Sequence, residues 1–136
     1  MSEVKSLKKI FIVDDNETNL ATAKSALKDH YTLMCMLSAD RMFKMLEKII
    51  PDLILLDIEM PMMTGIQALK IIRNSDDPVL RDLKVVFLTS HGSGGNVSSA
   101  MTHHAQDFIT KPFVPDDLRK RVAKVLATDY TDKGAE

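Results

Sequence analysis

The chain has 136 residues and no recognisable linker, so it is long enough for one domain of ordinary size and too short for two. Hydrophobic residues make up 45% of the chain and charged residues 27%, which argues against a disordered or fibrous protein. The 18 Lys and Arg against 19 Asp and Glu leave a net charge of −1, so the composition offers no electrostatic basis for wrapping DNA or binding an acidic membrane.

Four short runs rich in β-branched and aliphatic residues predict β-strands. In chain order they are Ile10–Val13, Leu53–Leu56, Val85–Leu88 and the weaker run Asp107–Thr110. A fifth run, Tyr31–Leu37, is less regular and is typical of an edge strand. The first three of the four runs are continuously apolar, as expected for central parallel strands that helices cover on both faces.

Segments with a helical period lie between these runs, and each has one apolar stripe. The stripes of the first three segments are Leu20, Ala23 and Leu27; Met42, Phe43 and Leu46; and Ile66, Leu69 and Ile72. The last segment opens with Pro115-Asp116-Asp117, which is typical of a helix N-terminus. Its apolar stripe is Leu118, Val122, Val125 and Leu126. The stretch from Asn96 to His104 gives the weakest helix prediction.

Strands and helices therefore alternate along the chain, which predicts an α/β domain with a parallel sheet, right-handed crossovers and helices on both faces. The alternating part covers residues 8–127, between polar tails at 1–7 and 128–136. In such sheets, ligands bind beyond the carboxyl ends of the strands. The residues that follow each strand are therefore the candidates for function.

Cellular location is predicted from the chain's one cysteine and its N-terminus. Cys35 excludes an internal disulfide and a cysteine zinc site, and it suits a reducing compartment. Residues 1–9 are polar and basic, and no run approaches the roughly 20 apolar residues that span a bilayer. We therefore expect a cytoplasmic protein.

Charged and hydroxyl side chains follow the predicted strands. Asp14-Asp15 ends the first run, Asp57 the second, Thr89-Ser90 the third, and Lys111-Pro112 follows the fourth. Three carboxylates about 5 Å apart would repel one another by roughly 3 kcal/mol per pair at an effective dielectric near 20. Because hard oxygen ligands with no His or Cys favour Mg²⁺, the strand ends predict a magnesium site.

A carboxylate beside a divalent ion can attack phosphorus and form an aspartyl phosphate. On this reading Asp57 attacks, Asp14 and Asp15 hold the metal, and Lys111 and Thr89 bind phosphoryl oxygens. Each residue alone has a simpler interpretation. Asp14 or Asp15 is as typical of a helix cap as of a metal ligand. Asp57 alone could simply end a strand, and Lys111 alone could belong to a solvated turn.

Four motifs together resemble the receiver domain of two-component response regulators, over about Lys8 to Ala127. They are Ile12-Val13-Asp14-Asp15-Asn16, the stretch from Asp52 through Asp57 and Glu59 to Gly65, Phe87-Leu88-Thr89-Ser90, and Asp107-Phe108-Ile109-Thr110-Lys111-Pro112-Phe113. The resemblance implies a flavodoxin-like fold with five parallel strands in the order 2-1-3-4-5.

The resemblance also implies that Asp57 takes a phosphoryl group from a phosphohistidine on a histidine kinase or a histidine phosphotransfer protein. The Mg²⁺ would be bound by Asp14, Asp15, Asp57 and the backbone carbonyl of Glu59. The domain would then be a switch rather than an enzyme, with only self-directed phosphotransfer and autodephosphorylation.

The implied switch links the phosphoryl group to a distant face. Thr89 and Lys111 would bind phosphoryl oxygens, and the aromatic side chain of Phe108 would turn inward as the Thr89 hydroxyl moves. This would repack the face formed by the Asn96–His104 segment, the last strand and the last helix, where a downstream effector protein would bind. The Lys111–Pro112 bond is expected to be cis.

This sequence departs from the family pattern at His104, where receivers commonly have Gly. Glu59 and His91 lie at positions that vary in the family and influence phosphate lifetime, so that either could act on water or simply face solvent. The segment Gly92–Gly95 lacks the ending of a nucleotide-binding loop and is interpreted as a flexible segment near the switch.

Two other classes of protein remain open. A magnesium-dependent phosphatase resembling haloacid dehalogenases would have an Asp-x-Asp pair on the first strand, whereas Asp14 and Asp15 are adjacent. A receiver-like contact module that takes no phosphate would have lost one of the acidic residues or Lys111, and all of them are present. The sequence also leaves open whether the chain stands alone or was excised from a larger sensor kinase or regulator.

Overall fold

The structure is a computed structural model that describes residues 7–90 and 105–128. The predictions for His91, Gly92–Gly95 and Asn96–His104 lie outside the described residues. Within them, the chain forms a sheet with helices on both faces.

Five parallel strands form the sheet in the order β2-β1-β3-β4-β5. Their bounds are β1 Lys9–Val13, β2 Thr32–Met36, β3 Leu53–Asp57, β4 Val85–Ser90 and β5 Asp107–Lys111. All five predicted strands are present, and β2 lies at an edge as its irregular pattern suggested. The strand order confirms the topology that the resemblance implied.

The helices of the described residues are α1 Glu17–Leu27, α2 Ala39–Leu46, α3 Gly65–Arg73, the one-turn α4 Pro78–Arg81 and α5 Pro115–Ala127. The sequence did not predict α4, because its four residues bury no side chain and so have no apolar stripe. Local chemistry specifies it instead: Pro78 occupies the first turn, and the Asp77 side chain accepts the Val79 N–H at 2.9 Å.

Apolar layers cover both faces of the sheet. Alternate strand residues such as Phe11, Ile54 and Phe87 pack under α2 and α3, and their neighbours such as Ile12 and Leu55 pack under α1 and α5. The central strands are therefore buried on both faces, which explains their continuously apolar runs. The predicted helix stripes face these layers; Phe43, Ile66 and Leu126 are partly buried, and the other stripe residues are buried.

None of the helices in residues 7–90 and 105–128 is long and apolar enough to cross a membrane.

Candidate functional site

Three carboxylates meet at the carboxyl edge of the sheet. Asp57 ends β3 and Asp14 directly follows β1, and because these strands are adjacent and parallel, the two residues lie side by side. One oxygen from each of Asp14, Asp15 and Asp57 lies within 4.8 Å of the others. Asp14 and Asp57 are buried, whereas Asp15 is exposed to solvent.

Lys111 bridges the two buried carboxylates from the end of β5. Its Nζ lies 2.9 Å from Asp14 Oδ2 and donates a 3.0 Å hydrogen bond to Asp57 Oδ1. Burial alone would lower the pKa of Lys111, but its contacts with both carboxylates raise the pKa, so the ammonium is held in its charged form. The Lys111–Pro112 peptide bond is cis, as expected.

The two oxygens of Asp57 have different surroundings. Oδ1 accepts hydrogen bonds from Lys111 Nζ and, at 3.2 Å, from the Glu59 backbone N–H. Oδ2 is buried, and no donor among residues 7–90 and 105–128 reaches it. Burial raises the pKa of Asp57 to about 7, and the nearby Asp14 carboxylate adds to this rise against the opposing effect of Lys111. A cation at this carboxylate would therefore relieve an unfavourable charge.

The hydrogen bonds at the start of α1 show whether Asp14 and Asp15 act as helix caps or are available to the acidic cluster. The side chain that caps α1 is Asn16, whose Oδ1 accepts the Asn19 N–H at 3.0 Å. Asp14 Oδ1 instead accepts the Asn16 N–H at 2.9 Å and a long hydrogen bond from the Asn19 side chain at 3.4 Å. Neither carboxylate caps the helix, so both are available to the cluster.

Thr89 and Ser90 lie at the end of β4, beside Asp57. Leu88 pairs with Asp57 in the sheet, so buried Thr89 lies one residue beyond this pair toward the acidic cluster. The Ser90 hydroxyl donates to Glu59 Oε1 at 3.2 Å. The strand end and the loop after Asp57 are thus joined directly across the mouth of the site.

Phe108 lies on β5 opposite Phe87 and is partly buried against the apolar layer under α2 and α3. Its side chain therefore lies beside a buried core residue.

Gly65 is a site residue whose role sequence reasoning missed. A Cβ at this position would lie 2.3 Å from the backbone carbonyl oxygen of Asp57, and the Gly65 N–H donates to Ile58 O at 2.8 Å. The capping box between Thr64 and Gln67 fixes where α3 begins, so the helix start packs directly on the backbone of Asp57. Only the coordinates reveal this close approach, although the residue stands in the quoted motif.

The residues of this cluster fit Mg²⁺. Carboxylate oxygens are the ligands that Mg²⁺ prefers, and Asp15 leaves one side of the cluster open to water, which Mg²⁺ usually retains. The buried Asp57 Oδ2, which no described donor reaches, is an atom that such an ion would satisfy.

Comparison with known proteins agrees with this geometry. The family model described as response regulator receiver domain matches residues 10–123. The regulatory protein LuxO of Vibrio cholerae is 44% identical over 76 residues, which are 56% of this chain and 16% of that protein. The response regulator PleD of Caulobacter vibrioides is 32% identical over 111 residues, which are 81% of this chain and 24% of that protein. The chain thus spans about a quarter or less of the length of these curated relatives.

Solved structures give the same result. A CheY-like response regulator receiver domain protein from Methanospirillum hungatei is 29% identical, with a TM-score of 0.78 over 89% of this chain and 94% of that one. The receiver domain of a signal transduction histidine kinase from Syntrophus aciditrophicus is 28% identical, with a TM-score of 0.78 over 90% and 96% of the two chains.

Proposed function

Because the chain belongs to the response regulator receiver domain family, we propose that Asp57 is its phosphoacceptor. Receiver domains are phosphorylation switches of two-component systems. The observation that supports Asp57 is its contact with Lys111, which holds a buried carboxylate beside two other acidic residues at the edge where ligands bind. The phosphoryl donor would be a phosphohistidine of a histidine kinase or a histidine phosphotransfer protein.

In the proposed reaction a carboxylate oxygen of Asp57 attacks phosphorus, an oxygen–phosphorus bond forms, and the bond from phosphorus to the donor imidazole breaks. Lys111 needs only a small movement to donate to a phosphoryl oxygen, because it already donates to Asp57. The buried hydroxyl of Thr89, one residue beyond the Asp57–Leu88 pair, is the second proposed donor. These groups act by position and charge, which is what phosphoryl transfer chiefly requires.

Asp14, Asp15, Asp57 and the backbone carbonyl of Glu59 would hold the magnesium ion. When bound, the ion would neutralise charge on the carboxylates and on the phosphoryl oxygens. Asp14 is suited to this role because its backbone N–H is fixed by a 3.1 Å hydrogen bond to Met36 O, at the end of the neighbouring strand. The carboxylate is therefore presented from a rigid strand end.

The proposed output is a change of surface. Movement of Thr89 toward the phosphoryl group would allow Phe108 to repack, and the face of β5 and α5 would then bind a downstream effector protein. We propose one receiver unit over residues 8–127. We also propose a cytoplasmic location, which suits the single cysteine.

The proposal is tested by labelling the full chain with acetyl phosphate and Mg²⁺ and measuring the mass of the intact protein. We expect one added phosphoryl group on the wild type and none on Asp57→Asn. The matched control is Asp52→Asn, which makes the same change at the opposite end of β3, where Asp52 accepts the Lys9 N–H. Both variants should keep the far-ultraviolet circular dichroism of the wild type.

Three results would contradict the proposal. A label retained by Asp57→Asn would move the phosphoacceptor elsewhere. Sustained turnover of a small phosphomonoester would favour a phosphatase. A folded wild-type chain that no phosphodonor labels, but that binds a partner, would favour a contact module.

A further inference from the structure

Within the part of the chain that the structure describes, nothing protects the free edge of β2 against pairing with another strand. The Thr32 N–H bonds to Lys8 O and Met36 O accepts the Asp14 N–H, so alternate residues of β2 face β1. The backbone groups of Leu33 and Cys35 therefore face away from the sheet, and no strand among the described residues lies on that side. The strand contains no charged residue and no proline, which are the usual protections of an edge.

The other edge strand of the sheet provides a contrast. β5 begins at Asp107 and ends at Lys111, and Arg121 of α5 forms an ion pair with Asp107 at 3.1 Å. This edge thus has an ion pair at its start, and charge is a usual protection of an edge. The open edge of β2 is therefore a particular property of that strand.

A groove of about 630 Å³ runs between the β2 edge and α2. It is lined by Cys35, Met36 and Met45 and by the cations Arg41 and Lys48. Both cations are exposed, and neither charged side chain forms an ion pair or a hydrogen bond with any residue that the structure describes.

The local charge of this groove is positive. Lys44, also on its wall, pairs with Asp40 at 3.4 Å, but both side chains are about three-quarters exposed, so the pair is weak. Three cations and one carboxylate thus line the groove, an excess of two positive charges on a chain whose net charge is −1.

We propose that this groove, the β2–α2 groove, binds an extended acidic segment of a partner protein. The segment would lie beside β2 as a sixth strand and pair its backbone with Leu33 and Cys35. Its carboxylates would face Arg41 and Lys48 on the α2 side of the sheet, and its alternate apolar side chains would lie on the opposite side, where Leu33 packs against the layer under α1. The proposal is independent of the phosphoacceptor.

The same features disfavour two other occupants. A second copy paired through β2 would bring two sets of cations together, so charge repulsion opposes it. Nucleic acid would satisfy the cations, but it would leave the backbone groups of Leu33 and Cys35 without strand partners. An acidic strand would both pair with the open edge of β2 and balance the positive charge of the groove.

The test titrates the full chain into a fluorescein-labelled peptide of about ten residues that alternates glutamate and valine, and measures fluorescence anisotropy. The paired variant Arg41→Glu with Lys48→Glu should weaken binding about tenfold or more. The control pair Lys70→Glu with Lys120→Glu changes the net charge equally on exposed residues outside the groove, and it should stay within about twofold of wild type. Bound peptide should slow hydrogen exchange of the Leu33 and Cys35 amides.

Several outcomes would overturn the inference. They are absence of binding to the acidic peptide, equal loss of binding in both variant pairs, and equal binding of a peptide with lysine in place of glutamate. Equal binding of an acidic peptide interrupted by proline would exclude strand pairing. Binding of a single-stranded oligonucleotide of matched charge without protection of Leu33 and Cys35 would favour nucleic acid. Dimerisation that competes with the peptide would favour a second copy.

Discussion

Lys111 donates a 3.0 Å hydrogen bond to Asp57 although the two residues are 54 positions apart and β4 lies between their strands. The long side chain of Lys111 spans that strand and also reaches Asp14 at 2.9 Å. One ammonium is thus shared by two buried carboxylates. Because a single charge cannot balance both, the cluster is ready to take a further cation.

The first prediction concerns Lys111→Met, which keeps much of the side-chain volume and removes the charge. We expect the rate of phosphorylation by acetyl phosphate to fall on the order of 100-fold, because a charged donor to the phosphoryl oxygens is lost. Initial rates of labelling at saturating Mg²⁺ measure the effect. Lys120→Met, a change at an exposed lysine of α5, should leave the rate unchanged. An unchanged rate in Lys111→Met would remove Lys111 from the proposed mechanism.

The second prediction concerns the stability of the chain without metal. Burial raises the pKa of Asp57 to about 7, above the ordinary value near 3.9 that the unfolded chain has. The protonated carboxyl is therefore favoured by folding, so stability from this group is fully present below about pH 4 and is lost as the pH rises through 7. Asp57→Asn cannot ionise and should escape this loss.

In chelator-treated samples at pH 8, Asp57→Asn should be more stable than wild type by on the order of 1–3 kcal/mol, and the difference should shrink toward pH 4. Urea unfolding followed by circular dichroism measures both free energies. Saturating Mg²⁺ should stabilise the wild type more than the variant, because binding to the folded state adds stability by mass action. A difference that is independent of pH would contradict the raised pKa.

The fold was predictable because its central strands are buried on both faces. Runs such as Ile10–Val13 and Leu53–Leu56 have no polar interruption, and their separation by amphipathic segments fixes a parallel arrangement. The placement of Asp14, Asp57 and Lys111 at one edge of the sheet then follows from topology, since parallel strands end at one edge. The strand order itself came from family resemblance.

Other features depend on contacts that no periodicity encodes. Asn16, rather than either acidic residue, caps α1, because three residues separate the end of β1 at Val13 from the start of α1 at Glu17, and Asn16 is the last of the three. The one-turn α4 buries no side chain, so its sequence has no apolar periodicity that could predict a helix. The partners of Lys111 depend on side-chain reach across β4, which sequence spacing does not specify.

The third prediction concerns Gly65→Ala. The added Cβ would lie 2.3 Å from the Asp57 carbonyl oxygen, and neither backbone can easily move, because the Thr64–Gln67 capping box anchors α3 and β4 pairs with β3. We expect a loss of about 1–3 kcal/mol in the free energy of unfolding, together with slower labelling by acetyl phosphate. Lys70→Ala, an exposed change in the same helix, should alter stability by less than about 0.5 kcal/mol. Equal stability of the two variants would show that the helix start can shift.

The last prediction separates metal binding from helix capping at the start of α1. Asn16→Ala removes the side chain that caps the helix, so stability should fall by about 1 kcal/mol while Mg²⁺ affinity changes little. Asp15→Asn removes an exposed carboxylate that makes no cap, so stability without metal should be nearly unchanged while Mg²⁺ affinity falls about tenfold or more. Urea unfolding in chelator and calorimetric titration with Mg²⁺ measure the two quantities. If instead Asp15→Asn destabilised the metal-free protein and kept its Mg²⁺ affinity, Asp15 would be a structural residue, and the ligand set would have to be built without it.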